Sequence, residues 1–422
     1  MFGRTIESGR GALRTGIPLS IAVGAMLVSA LGGSAFAATT TARLIQPADV
    51  VYAGAFRMPT GTLGGSTFSY GGRALSFYKD PSTGKRTLFM QGHGYYPGQV
   101  AQVEIPATLG TGSWSGLPTA KVMQNFADVT EGNVNKVDPT NTSNATYVTG
   151  LLAYNGRMIV GATNTYSFSQ TTSHGVAGSL TVSQSGDWKG WYSFTADAPA
   201  RAMGWMAPIP SEWQAAFGGP ALTGQCCVSV ISTTSQGPSA TVFNPDDVGK
   251  TSPIPGKTVL FYPTAHFLRD GSTQNDVYNL TTRLGGVFFP PNTRSVIFVG
   301  GHGTGKYCYG TAQECGNDTA MPDVKGPHAQ PYRYQAWAYD ANDLAAVKSG
   351  SKAEYQPQPY AVFELKGMHN SGNPNISGAT FDPETGYLYI TQDYGEEPTV
   401  EVFKVSSVAT PVPAAPTNVT VQ

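Results

Sequence analysis

Along the chain, short apolar runs rich in β-branched and aromatic residues recur, each closed by glycine, proline, asparagine or aspartate. Five segments share a glycine followed by an apolar run and a turn: SYGGRALSFYKDP, YVTGLLAYNGR, ARAMGWMAPIP, TRLGGVFFPPNTR and NISGATFDPETG, anchored at Gly72, Gly150, Gly204, Gly286 and Gly378. Four of them lead into a second run, RTLFMQGHG, RMIVGATNTY, SVIFVGGHG and YLYITQDYG, while ALTGQCCVSVI is the best candidate in the third. Third runs follow as GQVAQVEIP, PSATVFNP, YQAWAYDANDL and TVEVFKV, and fourth runs as KTVLFYPTA and YAVFELKG. No long amphipathic helix fills the gaps, so the pattern predicts strands throughout.

The repeating unit is therefore a four-stranded antiparallel sheet, which cannot bury both of its faces alone. Such units stack radially, and the expected fold is all-β: a β-propeller with five blades by repeat count. Anchors spaced 78, 54, 82 and 92 residues apart are wider than the roughly 40 to 50 residues usual for a blade, so six or seven blades are the alternative. A β-sandwich or jelly roll is the competing fold, and it predicts no fivefold phase. VVYAGAFRMP near the start reads as a fourth strand without its first three, and TVEVFKV near the end as a third strand without its fourth. Pairing Val51 to Met58 with Thr399 to Val405 would close the ring and remove an open edge.

Composition refines this picture. Arg4, Arg10 and Arg14 precede the apolar run Ile17 to Leu31 and the Ala35-Phe36-Ala37 site, the order of a signal peptide. Residues 1–37 are read as that leader, 38–408 as the propeller domain and 409–422, with TPVPAAPTNVTVQ, as a Pro-rich linker or tail. The expected location is secreted, extracellular or periplasmic, with no membrane span in the mature form. A net charge of -1 with 13% charged residues leaves no electrostatic footprint for nucleic acid. The 51 glycines, 30 prolines and 21 tyrosines suit many short strands and turns. In an exported chain Cys308 and Cys315, in CYGTAQEC, read as a loop disulfide. Pairing of either with Cys226 or Cys227 is the alternative, and those two neighbours could also bond to each other.

In a propeller the connection entering each innermost strand and the connection leaving the second strand lie on one face. Ser69, Tyr147, Arg201, Arg283 and Asn375 stand three positions before the anchors, and His93, Asn164, the Cys226-Cys227 region, His302 and Asp393 end the second strands. His369 and Asn370 precede the last inner strand. Three of six histidines and two arginines thus share one rim in a chain of few charges. The plain alternative is structural: glycines beside His93 and His302 permitting tight turns, and arginines bracing neighbouring blades. His174 and His266 fall on other phases. His328, with Tyr307, Tyr309, Tyr332 and Tyr334, belongs to the long insertion after Cys315 or its surroundings.

No metal-ligand spacing, nucleophile elbow or phosphate-binding loop occurs, and GGHGTGK opens no helix. Arginine beside histidine and tyrosine suits a carboxylate-bearing substrate, with the arginine fork holding the carboxylate and a ring or phenol group moving the proton α to it. In leader, blade repeat and rim the chain resembles the secreted β-propeller polysaccharide lyases that cleave ulvan or rhamnose–glucuronate bonds, although those usually have seven blades. In an exported propeller the obvious carboxylate carrier is a uronic acid in a polysaccharide and β-elimination the natural reaction, which agrees with the resemblance. The shared phase in the repeat assigns the residues. His93, His302 and Tyr147 would then be catalytic, and Arg201, Arg283, Asn164, His369, Asn370 and Asp393 would bind substrate. A non-catalytic carbohydrate-binding or adhesion propeller is the alternative, and a glycoside hydrolase using Asp393, Glu396, Glu397 or Asp276 the third reading. No cofactor is expected, although a structural divalent cation in the channel is compatible with the fold.

Overall fold

The computed structural model describes residues 41–140, 145–164, 167, 170–195, 202–225, 227–228, 234–321, 325–369, 376–392 and 395–406, with 227–228 and 376–377 described by backbone alone. Five antiparallel sheets of four or five strands form the blades of the domain, beside one two-stranded sheet. Blade one comprises Leu75–Lys79, Arg86–Gln91, Gln99–Glu104 and Lys121–Asp128. Blade two comprises Thr146–Tyr154, Arg157–Asn164, His174–Ala177 and Lys189–Tyr192. Blade three comprises Met206–Pro208, Ala221–Thr223, Ala240–Phe243 and Gly256–Leu260. Blade four comprises Arg283–Phe288, Ser295–Gly303, Tyr332–Asp340 and Ala361–Glu364, with Cys227–Val228 added along its inner edge. Blade five comprises Ile376–Asp382, Tyr387–Gln392 and Thr399–Val405, and is completed by Val50–Arg57.

The closing strand pairs antiparallel with Thr399–Val405, from Val50 opposite Val405 to Arg57 opposite Thr399, with a bulge between Tyr52 and Gly54. The ring closes at its centre too. Each inner strand touches the inner strand of the next blade, and that of blade five touches blade one. The chain is thus a five-bladed β-propeller, and the wide anchor spacing goes into connections, not into further blades among the described residues. Two of those connections are the helices Ser211–Phe217 and Ala341–Lys348. Another is the insertion holding a small ladder between Cys308–Gly310 and Gly326–His328.

The anchor glycines sit where inner strands crowd together. A Cβ on Gly150 would stand 2.1 Å from the Gly204 carbonyl oxygen, and one on Gly378 would stand 2.7 Å from that of Gly72. Neither backbone oxygen can move aside without opening the ring. In blades two, four and five the register slips just before the anchor, between Val148 and Gly150, Leu284 and Gly286, and Ile376 and Gly378. This recurrent bulge bends each inner strand around the axis.

Hydrophobic burial is distributed in wedges between blades. Phe89 and Leu151 belong to the layer between blades one and two, Ile159 and Phe243 to that between two and three, and Trp205 and Trp337 to that between three and four. Ile297 and Ile390 pack between four and five, while Leu88 and Val402 pack across the closure. Each fully buried side chain of this size contributes about 1.5–3 kcal/mol, so closure by Val50–Arg57 is held by packing as well as by its ladder. Among the described residues no helix is long and apolar enough to cross a membrane. The Cys308–Cys315 disulfide is formed, with the two Cα atoms 5.6 Å apart. Cys226 lies outside the described residues, so its pairing stays an expectation.

Candidate functional site

Inner strands begin and second strands end on one face, as the pairs Thr146 with Asn164 and Arg283 with Gly301 establish. On this face, between blades five and one, opens a cleft of about 450 Å³ lined by Phe68, Tyr70, Trp114, His369, Gln392, Gly395, Glu396, Glu397, Pro398 and Thr399.

Four segments build it, carrying Tyr70, Trp114, His369, and Gln392 with Gly395 to Thr399. Trp114 arrives on the connection between the last two strands of blade one, which climbs the outer edge of the closing strand. Ala55 N–H donates to Gly110 O at 2.7 Å, and Arg57 N–H donates to Pro118 O at 2.9 Å. The Arg57 guanidinium lies 5.1 Å from the centre of the Trp114 ring, which fixes the ring by a cation–π contact. Tyr70 sits two residues before the first anchor with φ of 54°, a left-handed conformation that costs a residue with a Cβ about 1–2 kcal/mol. Two bonds hold it there: Tyr70 N–H donates to Gly395 O at 3.1 Å, and Gly94 N–H donates to Tyr70 O at 3.1 Å. The Tyr70 hydroxyl reaches Glu396 Oε1 at 3.5 Å.

His369 forms the back of the cleft. Its N–H donates to Glu401 Oε1 at 2.7 Å, its Nδ1 lies 3.3 Å from Glu401 Oε2, and its Nε2 lies 2.8 Å from Gly112 O. Tyr52 donates its hydroxyl proton to the same carboxylate at 2.7 Å. Both ring nitrogens of His369 therefore face acceptors. Burial opposes its charge, yet the Gly112 carbonyl and the Glu401 carboxylate carry its pKa above the ordinary value. Burial likewise pushes the Glu401 carboxyl up, against the hydrogen bonds from Tyr52 and His369. His369 is thus a latch between blade five and the segment carrying Trp114, and the part expected of it in orienting sugar hydroxyls or a neighbouring imidazole stays an expectation.

Beyond Tyr70 the site continues around His93, whose ring centre lies 5.6 Å from that of Tyr70. Tyr95 N–H donates to His93 Nδ1 at 3.1 Å. That bond makes Nδ1 an acceptor and leaves the proton of the neutral ring on Nε2, which makes no hydrogen bond among the described residues. His93 is therefore a donor on this face and not a base through its open nitrogen. Tyr147 is half-buried beneath the Arg73 guanidinium, 3.7 Å from its ring centre.

The other expected positions behave differently. His302 is fully buried; its Nδ1 meets Thr282 Oγ1 at 2.9 Å and its Nε2 meets Asn275 O at 2.8 Å. Burial depresses its pKa to about 4, the Asn275 carbonyl opposing. A buried imidazole bonded at both nitrogens serves as a brace, and the catalytic role expected of His302 stays an expectation. Arg283 leans on the insertion, 3.9 Å from Met321 Sδ. Asn164 is buried, with its N–H donating to Gln170 Oε1 at 2.8 Å and its side chain 3.4 Å from Thr146. It too braces its blade. Arg201, Asn370 and Asp393 lie outside the described residues. His328 is buried on Asp318 at 2.9 Å, which also accepts from Tyr332 at 2.6 Å, and so pins the insertion.

Phe68, Tyr70, Arg73, Trp114 and Gln392 were not singled out from the sequence. The signal available for Trp114 was the long connection between Glu104 and Lys121, well beyond what a hairpin needs. Among the described residues no group of three or more histidine, cysteine or carboxylate side chains is placed to hold a metal ion.

No protein-family model matches the sequence, and no curated protein matches it. Among solved structures the chain is similar to a provisionally assigned glycoside hydrolase from Bacteroides ovatus, at 10% identity over 86% of this chain and 97% of that one, with a TM-score of 0.41. It is also similar to MPT-4, a mannose phosphorylase from Leishmania mexicana solved with phosphate ion, at 11% identity over 85% and 89%, TM-score 0.37. A third is Raptor from Chaetomium thermophilum, at 6% identity over 87% of this chain and 29% of that one, TM-score 0.32. Likenesses this distant carry no functional argument, and any reading of function must come from the cleft itself.

Proposed function

We propose that the protein is an exported carbohydrate-binding propeller that seats a sugar in the cleft between blades five and one. Export rests on the leader-like first 37 residues. The observation that carries the reading is a cleft of about 450 Å³ with Trp114, Tyr70 and Phe68 in its walls and Gln392, Glu396 and Glu397 among them. Its size falls in the range of about 300–1,000 Å³ in which protein clefts hold small organic ligands. Sugar rings offer C–H faces to aromatic side chains and hydroxyls to carboxylates and amides, and this lining supplies both.

Two glutamates also support a second reading, glycoside hydrolysis, in which one would act as the acid and the other as the base or nucleophile. Such a pair works at a carboxyl separation of about 5 to 10 Å. Elimination on a uronate has less support. His302 has no free nitrogen, His93 presents a proton instead of a base, and the glutamates of the cleft would repel a sugar carboxylate. The Arg73–Tyr147 pair is the arrangement that still favours it, as a cation beside a phenol.

The test is a titration of the mature protein against a panel of neutral and uronic-acid saccharides, followed by assays for reducing ends and for ultraviolet absorbance of unsaturated ends. Saturable binding that Trp114→Ala and Tyr70→Ala abolish, without new ends, supports the binding reading. New reducing ends that depend on Glu396 or Glu397 support hydrolysis, and unsaturated ends support elimination. Binding untouched by both aromatic substitutions would place the site elsewhere.

A further inference from the structure

We propose that the protein takes a glycan chain, not a single sugar, and that Tyr95 and Tyr96 form an outer subsite continuous with the cleft. This rests on the saccharide reading above and deepens it. Tyr70 belongs both to the cleft wall and to a row of rings leading away from it. Next in the row, the His93 ring lies 4.8 Å from that of Tyr95 and 6.0 Å from that of Tyr96.

The tyrosines of this row are bare. Tyr70 is 41% exposed, Tyr95 87% and Tyr96 53%, three of the seven large hydrophobic side chains exposed among the described residues. Scattered single exposures need no explanation, but a contiguous set marks a contact surface. The backbone of the turn that carries these rings is held in place. Tyr96 N–H donates to His93 O at 2.8 Å, and Gln99 N–H donates to Tyr96 O at 3.0 Å. His93 N–H is itself fixed by Thr67 O at 2.9 Å and Ser66 Oγ at 3.0 Å. Beside these rings the Nε2–H of His93 adds a donor for a hydroxyl.

An apolar face with one interleaved donor, presented by a braced turn and running on from a sugar-sized cleft, fits the alternating C–H and hydroxyl surface of a second sugar unit. A braced backbone limits the conformational entropy lost on contact to that of the side chains, so even a shallow platform can add affinity. A protein partner would use the same rings without regard to sugar length, which the following experiment separates.

The full mature chain is titrated calorimetrically with gluco-, manno-, xylo-, galacto- and galacturono-oligosaccharide ladders from mono- to hexasaccharide. The same ladders are applied to Tyr95→Ala/Tyr96→Ala and to Trp114→Ala. In the unaltered protein, affinity for the bound ladder rises about tenfold or more from the short to the long members, the scale of one well-seated aromatic contact. Tyr95→Ala/Tyr96→Ala keeps the affinity for short members and flattens the rise, whereas Trp114→Ala loses affinity along the whole ladder. Binding without a rise, or a rise that survives in the double variant, overturns the subsite while leaving the cleft reading intact. If no ladder binds the unaltered protein, the saccharide reading fails and the subsite fails with it.

Discussion

Two Gly-His-Gly turns, Gly92–Gly94 in blade one and Gly301–Gly303 in blade four, occupy the same station of the repeat and lie in opposite environments. In blade four the ladder with the third strand runs on through the turn, pairing His302 with Arg333 and Gly303 with Tyr332. In blade one the corresponding ladder stops at Gln91 opposite Val100. One histidine is therefore sheeted over and bonded at both nitrogens, while the other projects past its sheet among exposed tyrosines. Position in a repeat fixes where a residue's backbone lies; the length of the neighbouring strand decides whether its side chain meets solvent.

The largest expected effect is at the buried turn. His302→Ala leaves Thr282 and Asn275 without their partner and opens a void, at a cost of about 3 kcal/mol in denaturant unfolding. Its pKa falls from 6.5 to about 4 on folding, so the unfolded chain takes up the proton first and stability drops as pH falls through that interval. The loss is on the order of 3 kcal/mol over the interval. His174, depressed by burial to about 3, acts in the same direction. His302→Gln should therefore lessen the acid sensitivity without abolishing it, and an unchanged pH profile would refute the burial assigned to His302.

Blade four carries a second device that blade one lacks. Replacing Cys308 and Cys315 by serine should cost about 2–3 kcal/mol in the loop-entropy account, read as a lowered denaturation midpoint. A loss far below this would mean that the insertion is held by the Asp318–His328–Tyr332 cluster alone.

At the exposed turn the effects move from stability to ligand. Trp114→Ala should weaken saccharide binding by about 2 kcal/mol, a typical aromatic hot spot, with little change in melting. His93→Ala should change stability by less than about 0.5 kcal/mol, as a surface substitution does, and weaken binding several-fold. If His93→Ala unfolds the protein as readily as His302→Ala, the contrast between the two turns is wrong.

The smallest effect is a pH response of the opposite sign. The folded pKa of His369 is raised, so the stabilisation its charge adds to the contacts with Glu401 and Gly112 is complete below the ordinary histidine value and is lost as pH rises through the folded value. Tryptophan fluorescence should follow this transition on alkalinisation, and His369→Gln should remove it.

The repeat, the five blades, the closing strand and the short disulfide loop were all legible in the sequence. Each depends on patterns local to a few residues: alternation, a glycine at a crowded anchor, a turn, or two cysteines a short loop apart. Closure followed from a strand at each end lacking a partner, which edge chemistry alone forbids. The site was legible only as a face. That His302 and Asn164 would be braces, that Arg73 would stack on Tyr147 and that Trp114 would line one cleft with Tyr70 were decided by the tertiary structure. The Arg73 and Trp114 contacts join residues of different blades, those of His302 and Asn164 join a strand end to a connection or neighbouring strand, and all depend on strand and loop lengths. No local pattern encodes their combination.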